Sequence, residues 1–372
     1  MKVLMVSKAC VTGIYQKKLE ELATFPDLDL TVIVPPYWKE KGRRLELERS
    51  HTEGYRLEVE DMALNGHFHL HFYPKLGAQV RLVQPDILHI DEEPYNLATF
   101  HATRLALEVG AKPLFFTWQN LLRRYPFPFG WMERYNYGHA AHAIAGNRDG
   151  VGVLRATGYQ GPVTVIPQFG VDPDVFRPEG GREAVHPASF RIGYVGRLVE
   201  EKGVDLLLEA VAALEGDWCL SILGDGPFKP HLVELARELD LRERVTFQQP
   251  LPSSEMPAYY GQLDVLVLPS RTARNWKEQF GRVLIEAMAS GTPVVGSSCG
   301  EIPNVVGEAG LLFPENDVPS LAAHLDQLIR DRKLGESLAR RGRDRVLQHY
   351  TQRKIAEDTH RVYLQVMGRH GE

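Results

Sequence analysis

Residues 276–295 read WKEQFGRVLIEAMASGTPVV, and this stretch decides the fold class. The residues just before it, Leu263–Ser270, form an apolar, partly β-branched run that ends in Pro-Ser, which is typical of a buried parallel strand and its loop. After Gly281 the apolar residues recur at helical spacing, and Gly291 with Pro293 ends the helix before the next strand. The stretch therefore predicts a strand, loop, helix and strand of a parallel α/β sheet.

The same stretch carries candidate ligand contacts. In such a unit the ligand lies beyond the carboxyl end of the strand and faces the amino end of the helix. Glu278 falls in the loop, where its carboxylate can accept hydrogen bonds from sugar hydroxyls, and Glu286 lies on the helix that follows. The backbone N–H groups near Phe280 and Gly281 lie at the positive end of that helix and suit a phosphate.

Length and composition limit the class of protein. A chain of 372 residues fits two domains of about 150 to 200 residues each, and 44% hydrophobic with 24% charged residues is typical of a globular protein. The net charge of -5 creates no field that attracts nucleic acid, so we expect no nucleic-acid partner. No apolar run reaches the roughly 18 residues that span a bilayer, and the first residues read as a strand, so we expect a cytoplasmic chain, with the inner face of a membrane as an alternative location.

Strand-like and helix-like runs alternate along the chain, which predicts parallel sheets covered by helices. Residues 1–167 are predicted to form one domain, and 190–352 a second. Residues 168–189 between them are rich in Gly and Pro, as linkers are. An amphipathic helix is predicted at the chain end, within 353–372. Three widely spaced cysteines indicate neither a disulfide framework nor a zinc site.

Two loops of the first domain carry candidate functional residues. Gly13, in the loop after the first strand, can let the backbone approach a ligand, although a plain turn explains it equally well. The strand at 85–90 ends in Asp91, Glu92 and Glu93, at the sheet edge where catalytic groups of α/β folds collect. The alternative for these acids is a helix amino terminus, where the helix dipole favours negative charge.

Two further segments of the first domain have two interpretations each. His67–Tyr73 alternates with a period of two, which predicts a solvated or edge strand, with a histidine metal site as the alternative. Arg123–Trp131 combines basic and aromatic residues. The favoured interpretation is a loop that packs on its own domain, and contact with an acceptor or a membrane surface is the alternative.

The second domain begins with two strands that each run into a glycine-containing loop. Arg197 and Lys202 flank the loop after Gly196, and their cationic groups suit a diphosphate, since each charge-assisted contact contributes roughly 1.5–3 kcal/mol. Leu220–Pro227 repeats this design with Gly224. The first loop lacks the Gly-Lys-Ser/Thr ending of a nucleoside triphosphatase, so ATP hydrolysis is disfavoured.

Together these motifs resemble the retaining GT-B glycosyltransferases of family 4. The resemblance covers nearly the whole chain and rests on Arg197 with Lys202-Gly203, Gly224–Pro227, Glu278 and Glu286 with seven residues between them, and Gly291–Val295 followed by Gly300–Pro303. It implies two Rossmann-like domains that face each other across a cleft. It also implies that the first domain binds the acceptor and is completed by the helix at 353–372, and that the second domain binds the donor.

The resemblance implies a role for each matched residue. Arg197 and Lys202 would hold the donor diphosphate and stabilise it as it leaves, Glu278 would bind the hydroxyls of the donor sugar, and Glu286 would bind the ribose hydroxyls. The further expected donor contacts are Gly13, Gly196, Gly224, Gln279, Phe280, Gly281 and Arg282.

The chain departs from the family pattern in the first domain. Trp118-Gln119-Asn120 stands where many relatives carry a histidine near the anomeric carbon, and His89-Ile90-Asp91 stands where many have His-x-His. We therefore expect Asp91, Glu92 or Glu93 to act near the reacting centre or the acceptor hydroxyl, and assign Asp91 and Glu92 as catalytic candidates.

The implied reaction is transfer of a hexosyl group from a nucleoside diphosphate sugar to a hydroxyl acceptor, with retention at the anomeric carbon. UDP-sugars are expected first and GDP-mannose second, and the acceptor is a glycan, a glycolipid or a small molecule. No metal and no cofactor is expected, because the two cations and the helix end would neutralise the diphosphate. The alternatives are a nucleotide-sugar epimerase, which needs no acceptor, and a non-catalytic subunit that binds a nucleotide sugar.

Overall fold

The computed structural model describes residues 1–40, 42–178 and 189–368. Residues 179–188 of the predicted linker and 369–372 of the predicted final helix lie outside these ranges. The chain divides into two compact units. Unit 1 holds Met1–Gly170 and the chain from Gln352 onward, and unit 2 holds Val171–Thr351.

Both units alternate strands with helices, apart from four consecutive strands between residues 29 and 59 of unit 1. The elements of unit 1 up to Gly170 are β1 (Lys2–Val6), α1 (Lys17–Ala23), β2 (Asp29–Val34), β3 (Tyr37–Glu40), β4 (Arg43–Glu46), β5 (Arg56–Val59), α2 (Leu76–Val83), β6 (Ile87–Ile90), α3 (Leu97–Glu108), β7 (Lys112–Thr117), α4 (Phe129–His139), β8 (His142–Ala145), α5 (Arg148–Thr157) and β9 (Val163–Val165).

Unit 2 continues the alternation, and the chain then returns to unit 1 with one long helix. The elements of unit 2 are β10 (Phe190–Val195), α6 (Val204–Ala212), β11 (Trp218–Leu223), α7 (Lys229–Glu238), β12 (Val245–Gln248), α8 (Met256–Gly261), β13 (Val265–Leu268), α9 (Arg282–Ala289), β14 (Val294–Ser297), α10 (Ile302–Val306), β15 (Leu311–Phe313), α11 (Val318–Arg330) and α12 (Arg332–His349). The returning helix is α13 (Gln352–Val366). Among the described residues, no helix combines the length and the apolar character needed to span a membrane.

The main sheet of unit 1 has seven parallel strands in the order β5-β2-β1-β6-β7-β8-β9. Its five central strands, from β2 to β8 in this order, are short and mostly buried because helices cover both faces, whereas the edge strands β5 and β9 are partly exposed. Val3 and Met5 of β1 share a core with Ile355 and Tyr363 of α13, while Leu4 of β1 lies in the core under α2 and α3. Alternate residues of one strand thus fill two cores, as the period of a strand requires.

The sheet of unit 2 has six parallel strands in the order β12-β11-β10-β13-β14-β15. The chain leaves β10 towards β11 and β12 on one side, and then crosses to β13 on the other. In unit 1 the same reversal separates β1 from β6. Ligands of open α/β sheets bind beyond the carboxyl ends of the strands at such reversals, so each unit has one position where a site is expected.

The predicted strand at His67–Tyr73 is wrong. Residues 68–70 form a turn, which the backbone N–H groups of Leu70 and His71 close by donating to the carbonyl of His67, each at 3.0 Å. The turn buries His71 and leaves Phe68 exposed. The three histidines therefore do not share one strand face, since His67 is exposed, His69 is partly buried and His71 is buried.

Candidate functional site

The carboxyl edge of the unit 2 sheet brings together loops that are distant in sequence. β10 and β13 are hydrogen-bonded neighbours. The loop after β10 carries Arg197 and Lys202, and the loop after β13 carries Glu278 and Gly281. The loop with the predicted diphosphate contacts and the loop with the predicted sugar contact therefore begin at neighbouring strands.

Lys202 and Glu278 form an ion pair at this edge. Lys202 Nζ donates to Glu278 Oε2 at 2.6 Å, and Ser270 Oγ donates to the same oxygen at 3.0 Å. The ring of Trp276 lies beneath the ammonium group, 4.8 Å from Nζ to the ring centroid. Because Glu278 is only 7% exposed, its carboxylate depends on these partners to offset lost hydration.

Arg197 differs from Lys202 in its surroundings. Its side chain is exposed, and within the described ranges its guanidinium forms no ion pair. Its backbone carbonyl accepts a hydrogen bond from Tyr194 Oη at 2.9 Å, which fixes the start of the loop. The edge therefore combines one paired cation with one that can turn towards an anion.

The predicted donor glycines Gly196 and Gly224 hold two loops close together. A Cβ atom on Gly224 would lie 1.9 Å from the carbonyl oxygen of Gly196, which no side chain tolerates. Gly203 meets the same restriction, since its Cβ would lie 2.1 Å from the carbonyl oxygen of Pro269 and its φ is +66°. These glycines permit backbone contact between neighbouring loops, and direct donor contact by Gly196 and Gly224 stays a prediction.

The helix predicted after Gly281 is confirmed as α9. Gly281 precedes it with a φ of +79°, a conformation that glycine adopts without strain. The Phe280 ring is buried and packs edge-to-face on Tyr350, with centroids 5.8 Å apart, whereas Gln279 is exposed. The Phe280 ring thus anchors the loop, and backbone contact with a ligand stays a prediction.

Glu286 lies buried on α9 and has two partners. Arg282 Nε donates to Oε1 at 2.9 Å, and Tyr260 Oη donates to Oε2 at 2.8 Å. Burial raises the pKa of Glu286, and Arg282 and Tyr260 oppose that rise. The sequence analysis missed Tyr260, because it belongs to the separate helix α8 and nothing local to Glu286 points to it.

In unit 1, Asp91 and Glu92 follow β6 and are each held by a lysine. Asp91 Oδ2 accepts a hydrogen bond from Ser7 Oγ at 2.7 Å and lies 3.6 Å from Lys18 Nζ. Glu92 pairs with Lys8. Burial alone would raise the pKa of Glu92, but Lys8 and a nearby histidine outweigh it and lower this pKa to about 2.

That histidine is His71, which the turn at 68–70 buries beside Glu92. Its Nε2 lies 3.5 Å from Glu92 Oε1. The sequence analysis considered His71 as one of three metal ligands. Over the described part of the chain, however, no three His, Cys, Asp or Glu side chains are arranged to hold a metal ion.

Glu93 is the third acid of this run and has neutral partners. Thr117 Oγ1 donates to Oε2 at 2.6 Å, and the backbone N–H of Trp118 donates to Oε1 at 2.8 Å. Burial raises the pKa of Glu93 to about 7 in spite of these hydrogen bonds. Its carboxyl group therefore changes charge near neutral pH, whereas Glu92 stays ionised.

We expect Glu93 to make stability depend on pH. Its pKa of about 7 in the folded chain lies above the ordinary 4.5, so the folded state holds the proton more tightly and stability falls as pH rises from about 4.5 to about 7. Glu93→Gln keeps the uncharged form at every pH. Urea unfolding measures the free energy of unfolding of Glu93→Gln and of the natural chain. The difference between the two, variant minus natural chain, should increase by on the order of 2–3 kcal/mol between about pH 5 and pH 7.5. A difference that stays constant with pH would contradict the assignment.

Gly13 lies in a short 3-10 helix after β1. Its backbone N–H donates to Glu48 Oε2 at 2.6 Å, and a Cβ atom at this position would lie 2.2 Å from Ser50 Oγ. Close packing against this neighbouring segment explains the glycine. Its contact with a donor stays a prediction.

The candidate site of unit 2 lies within a region that matches a known family. Residues 183–345 match the model of the family described as glycosyl transferases group 1. The region includes Arg197, Lys202, Glu278 and Glu286. Less than half of the chain, residues 183–345, is thus similar to the glycosyl transferases group 1 family.

Curated relatives of the group 1 region carry glycosyltransferase names. A D-inositol 3-phosphate glycosyltransferase of Mycobacterium marinum is 36% identical over 172 residues, which cover 43% of this chain and 36% of the relative. A GDP-mannose-dependent alpha-(1-6)-phosphatidylinositol monomannoside mannosyltransferase of Mycolicibacterium smegmatis is 32% identical over 194 residues, which cover 49% of this chain and 51% of the relative. The chain thus spans about half or less of the length of these relatives.

Solved structures resemble the whole chain. Sucrose-phosphate synthase from Thermosynechococcus elongatus has a TM-score of 0.75 at 20% identity and covers 99% of both chains. Anabaena Alr3699/HepE, solved in complex with UDP, has a TM-score of 0.75 at 18% identity and covers 98% of this chain and 100% of its own. These likenesses confirm the predicted fold class, an α/β chain with two Rossmann-like domains of the GT-B type.

Proposed function

We propose that the chain is a glycosyltransferase that moves a hexosyl group from a nucleoside diphosphate sugar to a hydroxyl acceptor. One observation carries the proposal: the group 1 region contains the Lys202–Glu278 pair at the carboxyl edge of β10 and β13, where an α/β sheet binds ligands. UDP-sugars are proposed first and GDP-mannose second, and GDP-mannose is the donor in the name of the M. smegmatis relative.

The proposed mechanism relies on position and charge. Arg197, Lys202 and the amino end of α9 neutralise the diphosphate as its bond to the anomeric carbon breaks. The acceptor oxygen forms the new bond on the same face, and its proton passes to the leaving diphosphate oxygen, so the configuration is retained. Glu278 orients the donor sugar. We propose that neither a metal nor a cofactor takes part, since three positive groups face the diphosphate.

A ligand screen on the full chain tests this function. A nucleotide at about 100 times its Kd stabilises the chain by roughly 2.7 kcal/mol, so thermal shift with UDP and GDP in the presence of EDTA identifies the base. The matching nucleotide sugar should then release free nucleoside diphosphate when acceptors are added. A changed donor sugar without transfer would indicate an epimerase, and binding without release of diphosphate would indicate a binding subunit.

We further propose that the segment Arg123–Trp131, a loop that runs into the first turn of α4, contacts the inner face of a membrane. Tyr125 packs on its own domain and stacks on Tyr95 with centroids 4.1 Å apart, as the favoured interpretation expects. The neighbouring Phe127 is 84% exposed and Trp131 is 43% exposed. Exposed rings beside basic residues suit a membrane interface.

A variant with both Phe127→Ser and Trp131→Ser should lose membrane affinity. Because two exposed rings are removed, co-sedimentation with phosphatidylglycerol vesicles should weaken by roughly tenfold or more. The control is Leu82→Ser, which changes an exposed apolar residue on α2. Equal binding of the double variant and the natural chain would overturn the contact.

A further inference from the structure

Unit 1 has a cavity of about 360 Å³ that the proposed mechanism leaves without a defined occupant. It lies beyond the carboxyl ends of β1, β6 and β7, at the position where the strand order of the sheet reverses. Its lining includes Lys8, Glu40, Asp91, Glu93, Trp118 and Gln168. The place of the cavity is the one where an open α/β sheet binds its ligand.

The charges around this cavity disfavour an anion. Its lining has four carboxyl groups, and among the described residues that form it, Lys8 is the single cation. Lys8 pairs with Glu92, and Lys18 behind the lining pairs with Asp91. Neither cation is therefore left to balance Glu40 or the ionised fraction of Glu93. A phosphate group would meet repulsion here.

Asp91 can accept a hydrogen bond from a ligand. The residue is only 4% exposed, and Ser7 and Lys18 hold its Oδ2. Its Oδ1 accepts no hydrogen bond from the residues that the structure describes. A buried carboxylate with one oxygen anchored and the other unpaired is oriented for a donor such as a hydroxyl group.

Trp118 gives the cavity a rigid apolar wall. A Cβ atom on Gly146 would lie 2.3 Å from Trp118 Cε3, so Gly146 backs the ring closely. Trp118 Nε1 donates to Gln168 Oε1 at 2.9 Å, which fixes the ring in its plane and leaves the Gln168 amide nitrogen as a hydrogen-bond donor. The C–H face of a sugar ring packs on such a fixed aromatic surface, while its hydroxyls reach acceptors and donors at the edge.

We propose that this cavity binds an uncharged, polyhydroxylated ring, a sugar or a cyclitol, and rejects its phosphorylated counterpart. That this ligand is the acceptor of the transferred sugar rests on the proposed function, whereas its binding to the cavity does not. The selectivity differs from that suggested by the name of the M. marinum relative, which contains a phosphorylated inositol. Asp91 and Trp118 would determine this selectivity: Asp91 accepts a hydrogen bond from a hydroxyl while its pairing with Lys18 leaves that cation unavailable to a phosphate, and Trp118 stacks on the ring.

The test is ligand-observed NMR titration of the full chain with four probes. Methyl α-D-glucopyranoside and myo-inositol are the neutral rings, and glucose 6-phosphate and inositol 1-phosphate are their phosphorylated counterparts. We expect the neutral rings to bind at least about tenfold more tightly. Equal or tighter binding of the phosphorylated rings would overturn the proposal.

Variants locate the binding. Trp118→Leu should weaken binding of the neutral rings by about tenfold and Trp118→Phe by much less, because the latter retains an aromatic face. Asp91→Asn should reduce the preference for neutral over phosphorylated rings, a ratio that a general loss of packing does not change. The control Asp86→Asn lies at the opposite end of β6 and should bind like the natural chain. Neutral-ring binding that none of these substitutions alters would overturn the proposal.

UDP and GDP titrated into the same samples separate this inference from the proposed function. Nucleotide binding without any binding of the neutral rings would overturn the inference and leave the function standing. Neutral-ring binding that depends on Trp118 and Asp91, without nucleotide binding, would support the inference and count against the glycosyltransferase function.

Discussion

Glu278→Ala is expected to lower kcat/KM for sugar transfer by roughly 10²- to 10⁴-fold, which corresponds to about 3–5 kcal/mol. The carboxylate is buried against Ser270 and pairs with Lys202, so it is fixed before a ligand arrives. Two charge-assisted hydrogen bonds to donor hydroxyls would be lost with it. The loss should appear mainly in kcat if these contacts strengthen as the donor bond breaks.

Steady-state rates with the donor identified by the nucleotide screen measure this effect. Glu278→Gln keeps the shape of the side chain and removes its charge, so it should fall between the natural chain and Glu278→Ala. The control Glu308→Ala changes an exposed acid elsewhere in unit 2 and should leave the rate unchanged. A decrease of less than about fivefold for Glu278→Ala would remove Glu278 from the proposed site.

The second large effect is expected on substitution of Arg197 or Lys202. Both substitutions should weaken nucleotide binding, but only one of them should also lower the stability of the fold. Arg197→Ala and Lys202→Ala should each weaken binding of the nucleoside diphosphate by roughly 10- to 100-fold, because each removes a charge-assisted contact. Only Lys202→Ala should also destabilise the fold, on the order of 1–3 kcal/mol, since it removes an ion pair of the buried Glu278. The exposed Arg197 has no such partner within the described residues.

Isothermal titration with UDP or GDP measures the nucleotide affinity of these variants, and urea unfolding measures their stability. The conservative Arg197→Lys should retain part of the affinity, and Lys333→Ala, an exposed cation on α12, serves as the control. Nucleotide affinity that is unchanged in both alanine variants would contradict the diphosphate role. A loss of stability in Arg197→Ala as large as that in Lys202→Ala would contradict the difference in their surroundings.

Much of the second domain could be predicted because its signals are local. The apolar runs of β10, β11 and β13 and the glycines that follow them define strands and loops within a few residues. Gly281 and Gly291 likewise bound the helix that is α9. Since parallel strands place their following loops at one edge, the predicted functional residues of this domain could be assigned to that edge without knowing the strand order.

The partners of these residues could not be predicted, because they come from elsewhere in the fold. The 2.6 Å contact between Lys202 and Glu278 depends on β10 lying beside β13, and Tyr260 reaches Glu286 from α8. In the first domain, three adjacent acids look alike in sequence, yet a lysine keeps Glu92 ionised while burial raises the pKa of Glu93 to about 7. Those differences arise from tertiary neighbours alone.

The central claim is that the carboxyl edge of the unit 2 sheet binds a nucleoside diphosphate sugar, and a crystal structure of the chain with UDP or GDP tests it most directly. The account predicts diphosphate oxygens about 2.7–3.2 Å from the side-chain nitrogens of Arg197 and Lys202, with the ribose hydroxyls on Glu286. A nucleotide bound away from these three residues would contradict it.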